Sequence, residues 1–210
     1  MANIDELYPQ SCPFCSIATA YPAAAASTTD LTSAIPKDGD GDAEKVQPAC
    51  FLVLSAPDVM AFLDILPMTR GHLLVTVRKH KEKIADVDSK EGQDIGKLLY
   101  VKFHSLLLTS LIGFWLPILA RAVTKVTGVN DYNLVQNNGA RAAQVVPHVH
   151  FHIIPRPSDV PQLQNKSWTM FGRGQREELD DDEAKVLAAE LRAQIRKEVQ
   201  YLDEDRKSKL

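Results

Sequence analysis

Residues 147–157 read PHVHFHIIPRP, so that His148, His150 and His152 alternate with Val149, Phe151 and Ile153. Three of the chain's six histidines fall within five positions. Successive side chains of a strand point to opposite faces, which puts the three imidazoles together on one face and the three apolar residues on the other. Three chemistries suit such a row. One is a set of structural hydrogen bonds, plausible for one histidine and poor for three. Another is a metal site, since His-x-His offers two nitrogens from one strand face. The third is covalent catalysis, in which a neutral imidazole attacks phosphorus while a second group fixes its tautomer. Cys12 and Cys15 add a second chemical signal, because Cys-x-x-Cys has the spacing of half a zinc site.

The elements that must hold these residues are legible as short apolar runs. FLVL (51–54), VMAFLDI (59–65) and HLLVTVRKH (72–80) read as strands, with Ala-Pro-Asp as a turn between the first two. HKEKIADVDSKEGQDIGKLL has helical composition, NDYNLVQNNG gives a strand ending in a turn, and HVHFHII gives the last strand. Strands that come first in hairpin order, then a helix, then two more strands predict an α+β fold with an antiparallel sheet. Residues 176–199 predict an amphipathic helix with acids early and bases late; Val186, Leu187, Leu191 and Ile195 recur on its apolar side.

Two segments interrupt this order. Residues 20–48 are rich in Ala, Ser, Thr, Gly, Asp and Pro without a hydrophobic period, and predict a flexible surface insertion. From Phe103 to Ala120 there is no charged side chain. That run reaches the length of a membrane helix, but Ser105, Thr109, Ser110, Gly113 and Pro117 favour a buried helix or an insertion. Joining IGKLL directly to LPILARAVTKVTG restores one amphipathic helix of ordinary length, so about residues 100–115 read as an inserted stretch.

At 210 residues, with 27 acidic against 24 basic side chains, the chain can bury a core and lacks the basic surface that nucleic-acid backbones require. Its first residues contain no basic region leading into an apolar run, so no secretory signal is expected. Three cysteines cannot all pair, which places the chain in a reducing interior, cytoplasmic or nuclear.

His-Val-His-Phe-His-Ile-Ile, preceded by Gly-His-Leu-Leu-Val and Asn-Asn-Gly, resembles the histidine-triad (HIT) superfamily, from about Cys12 to Pro157. The resemblance implies an α+β HIT fold over residues 1–160, with an antiparallel sheet of about five strands and helices packed on it. Residues 161–210 are then a C-terminal loop and helix extension. It also implies a homodimer that hydrolyses a purine nucleotide derivative at its α-phosphate, either an adenosine phosphoramidate or a dinucleoside polyphosphate. A nucleotide-binding regulatory protein with little turnover is the alternative.

Carried over to this sequence, the resemblance makes His150 the nucleophile, forming a nucleotidyl-histidine. His148 and His152 contact phosphate and orient it, and His72 lies beneath them. Asp64 accepts from the ribose hydroxyls, Phe62 and Ile65 wall the base, and Asn137 holds the phosphate or leaving group. Val145, preceded by Gln144, stands three positions before His148, where phosphoramidate-cleaving members carry a hydroxyl residue that assists the leaving group. Val145 lacks that hydroxyl, so only a backbone N–H is offered there. No cofactor is required for this chemistry. Some members hold a structural zinc on such a cysteine pair and two histidines, for which Cys12, Cys15, His80 and His148 are the candidates; two reduced thiols in an apolar cluster is the plainer alternative. In SWTMFGRG, the resemblance would let Trp168, Phe171 and Arg173 complete a neighbouring subunit's pocket, or else cover their own core.

Overall fold

A computed structural model describes residues 11–23, 31–38, 43–87, 112–158 and 177–208. Its centre is a five-stranded sheet. β1 (Leu52–Ser55), β2 (Val59–Leu63), β3 (Leu73–Val77), β4 (Tyr132–Gln136) and β5 (His150–Pro155) lie in the order β1-β2-β3-β5-β4, and every neighbouring pair is antiparallel. The triad strand is therefore internal, paired to β3 through Thr76↔His150 and Leu74↔His152 and to β4 through Val135↔His152. Burial on both sides explains why β1, β2 and β3 read as near-continuous apolar runs rather than alternating ones.

The two faces carry different loads. On one lie the long helices α2 (Ile112–Thr127) and α3 (Asp181–Ser208), which pack on each other and on the sheet. Trp115, Leu119 and Val123 of α2 and Leu187, Leu191, Ile195 and Val199 of α3 join Val53, Leu63, Val75 and Ile153 in one core. A smaller apolar cluster on the triad side joins Phe14 of α1 (Pro13–Ala20) to Leu52, Met60, Phe62 and Leu74. Gly71, just before β3, has φ +85°, and a Cβ there would lie 2.5 Å from the Thr127 methyl. Glycine therefore allows α2's end to close on the sheet.

Several sequence expectations are corrected. The segment 20–48 is not uniformly a loose insertion. Short 3₁₀ turns at Leu31–Ala34 and Ala43–Lys45 pack Ala34, Ile35 and Ala43 into the main core. Arg192 of α3 holds that segment at Asp38 (2.9 Å) and reaches the Leu52 carbonyl, while Arg196 donates to the Pro36 carbonyl. A sparse apolar pattern sufficed because its few apolar side chains meet a helix from the far end of the chain. The stretch beginning HKEKIADV is not α-helical over its described part, which holds only the 3₁₀ turn Ile84–Asp86; the rest lies outside the described residues. The inserted stretch expected over about 100–115 does not reach 112–115, since α2 already includes them and Trp115 is buried in the core. On α3, Val186 is 59% exposed and Ala184 and Ala188 take the buried positions. None of the described helices is long and apolar enough to cross a membrane.

Candidate active site

Strand alternation places His150 and His152 on one face, as the pattern requires, with ring centroids 4.9 Å apart in edge-to-face contact. His150 is buried, and its Nδ1–H donates to the His148 carbonyl at 2.6 Å. That bond leaves the lone pair on Nε2. Burial lowers the His150 pKa below the ordinary histidine range, partly offset by the His148 carbonyl bond, so the ring is neutral and nucleophilic at neutral pH.

His152 is oriented from below. The Met68 backbone N–H points at His72 Nδ1 at 3.1 Å, and His72 Nε2 lies 3.0 Å from His152 Nδ1; when Met68 donates to that nitrogen, His72 carries its proton on Nε2 and donates to His152. His152 then presents an N–H from Nε2. In that arrangement the two neighbouring imidazoles offer opposite character, a lone pair on His150 and a donor on His152. Asp64, at the end of β2, accepts from the Leu66 N–H at 2.9 Å, and its other oxygen lies 3.4 Å from His72 Nδ1.

His148 differs from its expected role. Its ring is buried and turned away from a phosphate position: Nε2–H donates to the Val77 carbonyl at 2.8 Å, and Nδ1 faces Cys12 Sγ at 3.3 Å and Cys15 Sγ at 3.7 Å. Its contribution to His150 is its backbone carbonyl. The reason is local: residue 148 precedes β5 and lies over the first helix. Burial, together with the neighbouring rings of His80 and His150, lowers its pKa to about 4 despite the Val77 bond.

Gln144 is also reassigned. Its buried amide accepts from the Gly139 N–H and donates to the Glu82 and His148 carbonyls, so it fastens the loop rather than facing a ligand. Val145 is 77% exposed. Asn137 is buried at the end of β4, next to Gln136, which pairs with Phe151. Ile65 is 39% exposed, whereas Phe62 is buried under Phe14 rather than open to a base. Trp168, Phe171 and Arg173 lie outside the described residues.

Phe14 is the residue that sequence reasoning missed. Its ring meets Phe62 edge-on at 5.3 Å and His150 at 5.2 Å, and lies 5.8 Å from His148. The available signal was its place between the two cysteines, since any element bringing Cys12 to His148 must bring Phe14 with it.

Cys12, Cys15, His80 and His148 place one ligand atom each within 4.8 Å of one another. The Val77 bond fixes the His148 lone pair on Nδ1, toward the thiols, and His80 Nδ1 is 3.3 Å from Cys15 Sγ. Burial and the adjacent Cys12 raise the Cys15 pKa to about 11, so that thiol is protonated without a cation. Two sulfurs and two imidazole nitrogens match the donor preference and number of a closed tetrahedral zinc site.

The HIT domain family matches residues 45–159, more than half of the chain, and the chain belongs to that family. Adenosine 5'-monophosphoramidase hnt1 of Schizosaccharomyces pombe is 34% identical over 137 residues, covering 65% of this chain and 82% of the relative. The Saccharomyces cerevisiae adenosine 5'-monophosphoramidase HNT1 is 33% identical over 135 residues, covering 64% and 68%. The fold is shared with a zinc-bound histidine triad family protein of Mycobacterium smegmatis, at a TM-score of 0.53 and 20% identity over 93% of this chain and 97% of that one.

Proposed function

We propose that the chain is a nucleotide hydrolase that cleaves a purine nucleotide derivative at its α-phosphorus through a nucleotidyl-histidine on His150. The observation that carries this reading is the 2.6 Å bond from His150 Nδ1–H to the His148 carbonyl. It holds a neutral imidazole in the tautomer that aims a lone pair at the ligand side. In the first step the Nε2–phosphorus bond forms as the bond to the leaving group breaks, and the leaving group departs with its electron pair. In the second, water attacks phosphorus, the Nε2 bond breaks, and the nucleoside monophosphate leaves. The His152 N–H donates to the phosphoryl oxygens as their charge rises, which is where a positioned donor lowers the barrier. Asp64 takes the ribose hydroxyls, Ile65 lies beside the base, and Asn137 faces the phosphate or leaving group.

The fungal relatives, named adenosine 5'-monophosphoramidases, support an adenosine 5'-phosphoramidate as substrate. A dinucleoside polyphosphate is the second reading. It is favoured by Val145, which carries no hydroxyl beside the triad, because a phosphate leaving group departs without a proton and an amine does not. The cysteine–histidine cluster would hold a structural zinc through Cys12, Cys15, His80 and His148, supplying a fixed cross-link between α1 and the triad strand and no step of catalysis. A homodimer is supported by the edge position of β4 and by its exposed Tyr132 and Leu134. The reduced thiols suit a cytoplasmic or nuclear setting.

Rapid acid-free quenching with adenosine 5'-phosphoramidate and with diadenosine triphosphate, followed by peptide mapping, tests the reading. Adenylylated His150 is expected, absent from His150→Ala, which should still bind AMP. An adduct on another residue refutes the mechanism. Tight AMP binding with no turnover of either substrate assigns a binding module instead.

A further inference from the structure

His72 Nδ1 has two neighbours that make opposite demands on it. The Met68 N–H, 3.1 Å away, needs a lone pair there. The Asp64 carboxylate oxygen, 3.4 Å away, favours a proton there. One ring nitrogen cannot accept and donate at once. Whichever neighbour prevails sets the tautomer of His72, and through the 3.0 Å bond between His72 Nε2 and His152 Nδ1 it also sets that of His152.

Two arrangements with the same number of protons follow. When Met68 prevails, His72 and His152 both carry their protons on Nε2, and His152 offers an N–H toward the ligand. When Asp64 prevails, both carry them on Nδ1, and His152 offers a lone pair, which repels a phosphoryl oxygen. Passing from the second to the first moves the shared proton from His152 Nδ1 to His72 Nε2. One further proton leaves His72 Nδ1 by way of the adjacent Asp64 carboxylate to solvent, and another reaches His152 Nε2 from solvent on the ligand side. No net charge changes.

We propose that Asp64 is a positioning residue for catalysis as well as a ribose ligand, and that the sugar hydroxyls of the substrate, by occupying its carboxylate, release His72 to Met68 and make His152 a donor. This rests on the nucleotide reading above and deepens it: the site takes nucleotides with an intact 2',3'-diol, and the diol acts on turnover as well as on affinity. The chain of contacts runs without a break from Asp64 through His72 and His152 to the ring of His150, 4.9 Å further on. Burial of Asp64 and His72 keeps solvent from screening the carboxylate.

The test uses the unaltered protein. Adenosine 5'-phosphoramidate and its 2',3'-dideoxy analogue are compared at saturation, and imidazole ¹⁵N shifts of His152 are read with AMP and with 2',3'-dideoxy-AMP bound. The expected result is a fall in kcat of about tenfold for the dideoxy analogue, one hydrogen bond to a charged group, together with an Nε2–H tautomer under AMP and an Nδ1–H tautomer under dideoxy-AMP. Asp64→Asn should flatten the kcat difference while leaving a difference in KM. A dideoxy effect confined to KM, or the same His152 tautomer under both ligands, overturns the proposal. The NMR comparison needs no turnover. Absence of a His150 adduct would therefore refute the catalytic reading while the tautomer result still decides this one.

Discussion

Replacing Phe14 by alanine should weaken both the fold and the nucleophile, and the two effects can be separated. The ring is 6% exposed and closes the small core over Phe62, Leu74 and Met60. Truncating a buried phenylalanine costs about 3–5 kcal/mol; the low end, about 3 kcal/mol, suits a ring at the margin of its cluster. The same ring meets His150 edge-on at 5.2 Å with an 88° interplanar angle. An edge-to-face contact contributes about 0.5–1.5 kcal/mol beyond burial. If that contact keeps His150 aligned for attack, its loss slows nucleotidyl transfer about 2- to 13-fold. Phe14→Leu distinguishes the two parts, because it restores most of the buried volume and none of the ring edge. Urea unfolding should show Phe14→Leu much closer to the parent than Phe14→Ala, while single-turnover adduct formation at saturating substrate should be slowed in both. A Phe14→Leu protein that forms the adduct at the parental rate refutes the argument that the ring aligns His150.

Other expectations can be checked alongside. Glu198 is buried between Lys125 at 2.6 Å and Arg121 at 2.9 Å; burial pushes its pKa up, but bonds from Lys125, Arg121 and Gln194 more than reverse this and hold it below the ordinary value. Because the folded value is depressed, the stabilisation is complete above about pH 4.5 and is lost as pH falls through the folded value. Glu198→Gln should lower stability at pH 7 by about 1–3 kcal/mol, its cationic partners being half exposed, and should bring the two proteins' unfolding free energies together at low pH. Equal stability of the two at pH 7 would contradict this. If zinc joins α1 to the triad strand, a chelator should lower the melting temperature and release about one zinc per chain; an unchanged melting curve and no released metal would favour reduced thiols alone. Gln144→Leu keeps the shape but strands the Gly139 N–H and two carbonyls, so a loss of about 2 kcal/mol is expected in urea unfolding. A chain lacking residues 100–111 should retain its melting temperature, because the core contacts described for α2 begin at Phe114; cooperative unfolding lost on deletion would count against an inserted stretch.

The triad strand was legible because a period of two is short enough to read in six residues, and His150 and His152 fall where alternation puts them. His148 was misplaced by the same rule: it stands before the strand begins, where side-chain direction follows tertiary contacts, here Val77 and the cysteines. Asp64 and His72 were legible only through the family resemblance, since nothing in AFLDI or RGH announces that β2 and β3 bring them under one histidine. Phe14 was missed because local pattern does not report which side chains a short helix carries across a sheet. The segment 31–38 looked unstructured for a related reason. Its order comes from Arg192 and Arg196, more than 150 residues downstream, and no window of neighbouring sequence contains that information.

The helix α3 lies outside the matched family residues, yet its Leu187, Leu191, Ile195 and Val199 form much of the back-face core, and its Arg192 bonds to the Leu52 carbonyl across 140 residues. On the ribosome, β1 through β5 emerge before their back face has its cover. A helix so far downstream, carrying contacts of such long sequence separation, delays closure of the core until it has been made. Until then, among the described residues, Val53, Leu63 and Val75 have α2 and the turns around Ala34 and Ala43 to shield them, and lack the large apolar face of α3. The triad sheet is therefore most exposed to aggregation during the interval between synthesis of β5 and emergence of α3.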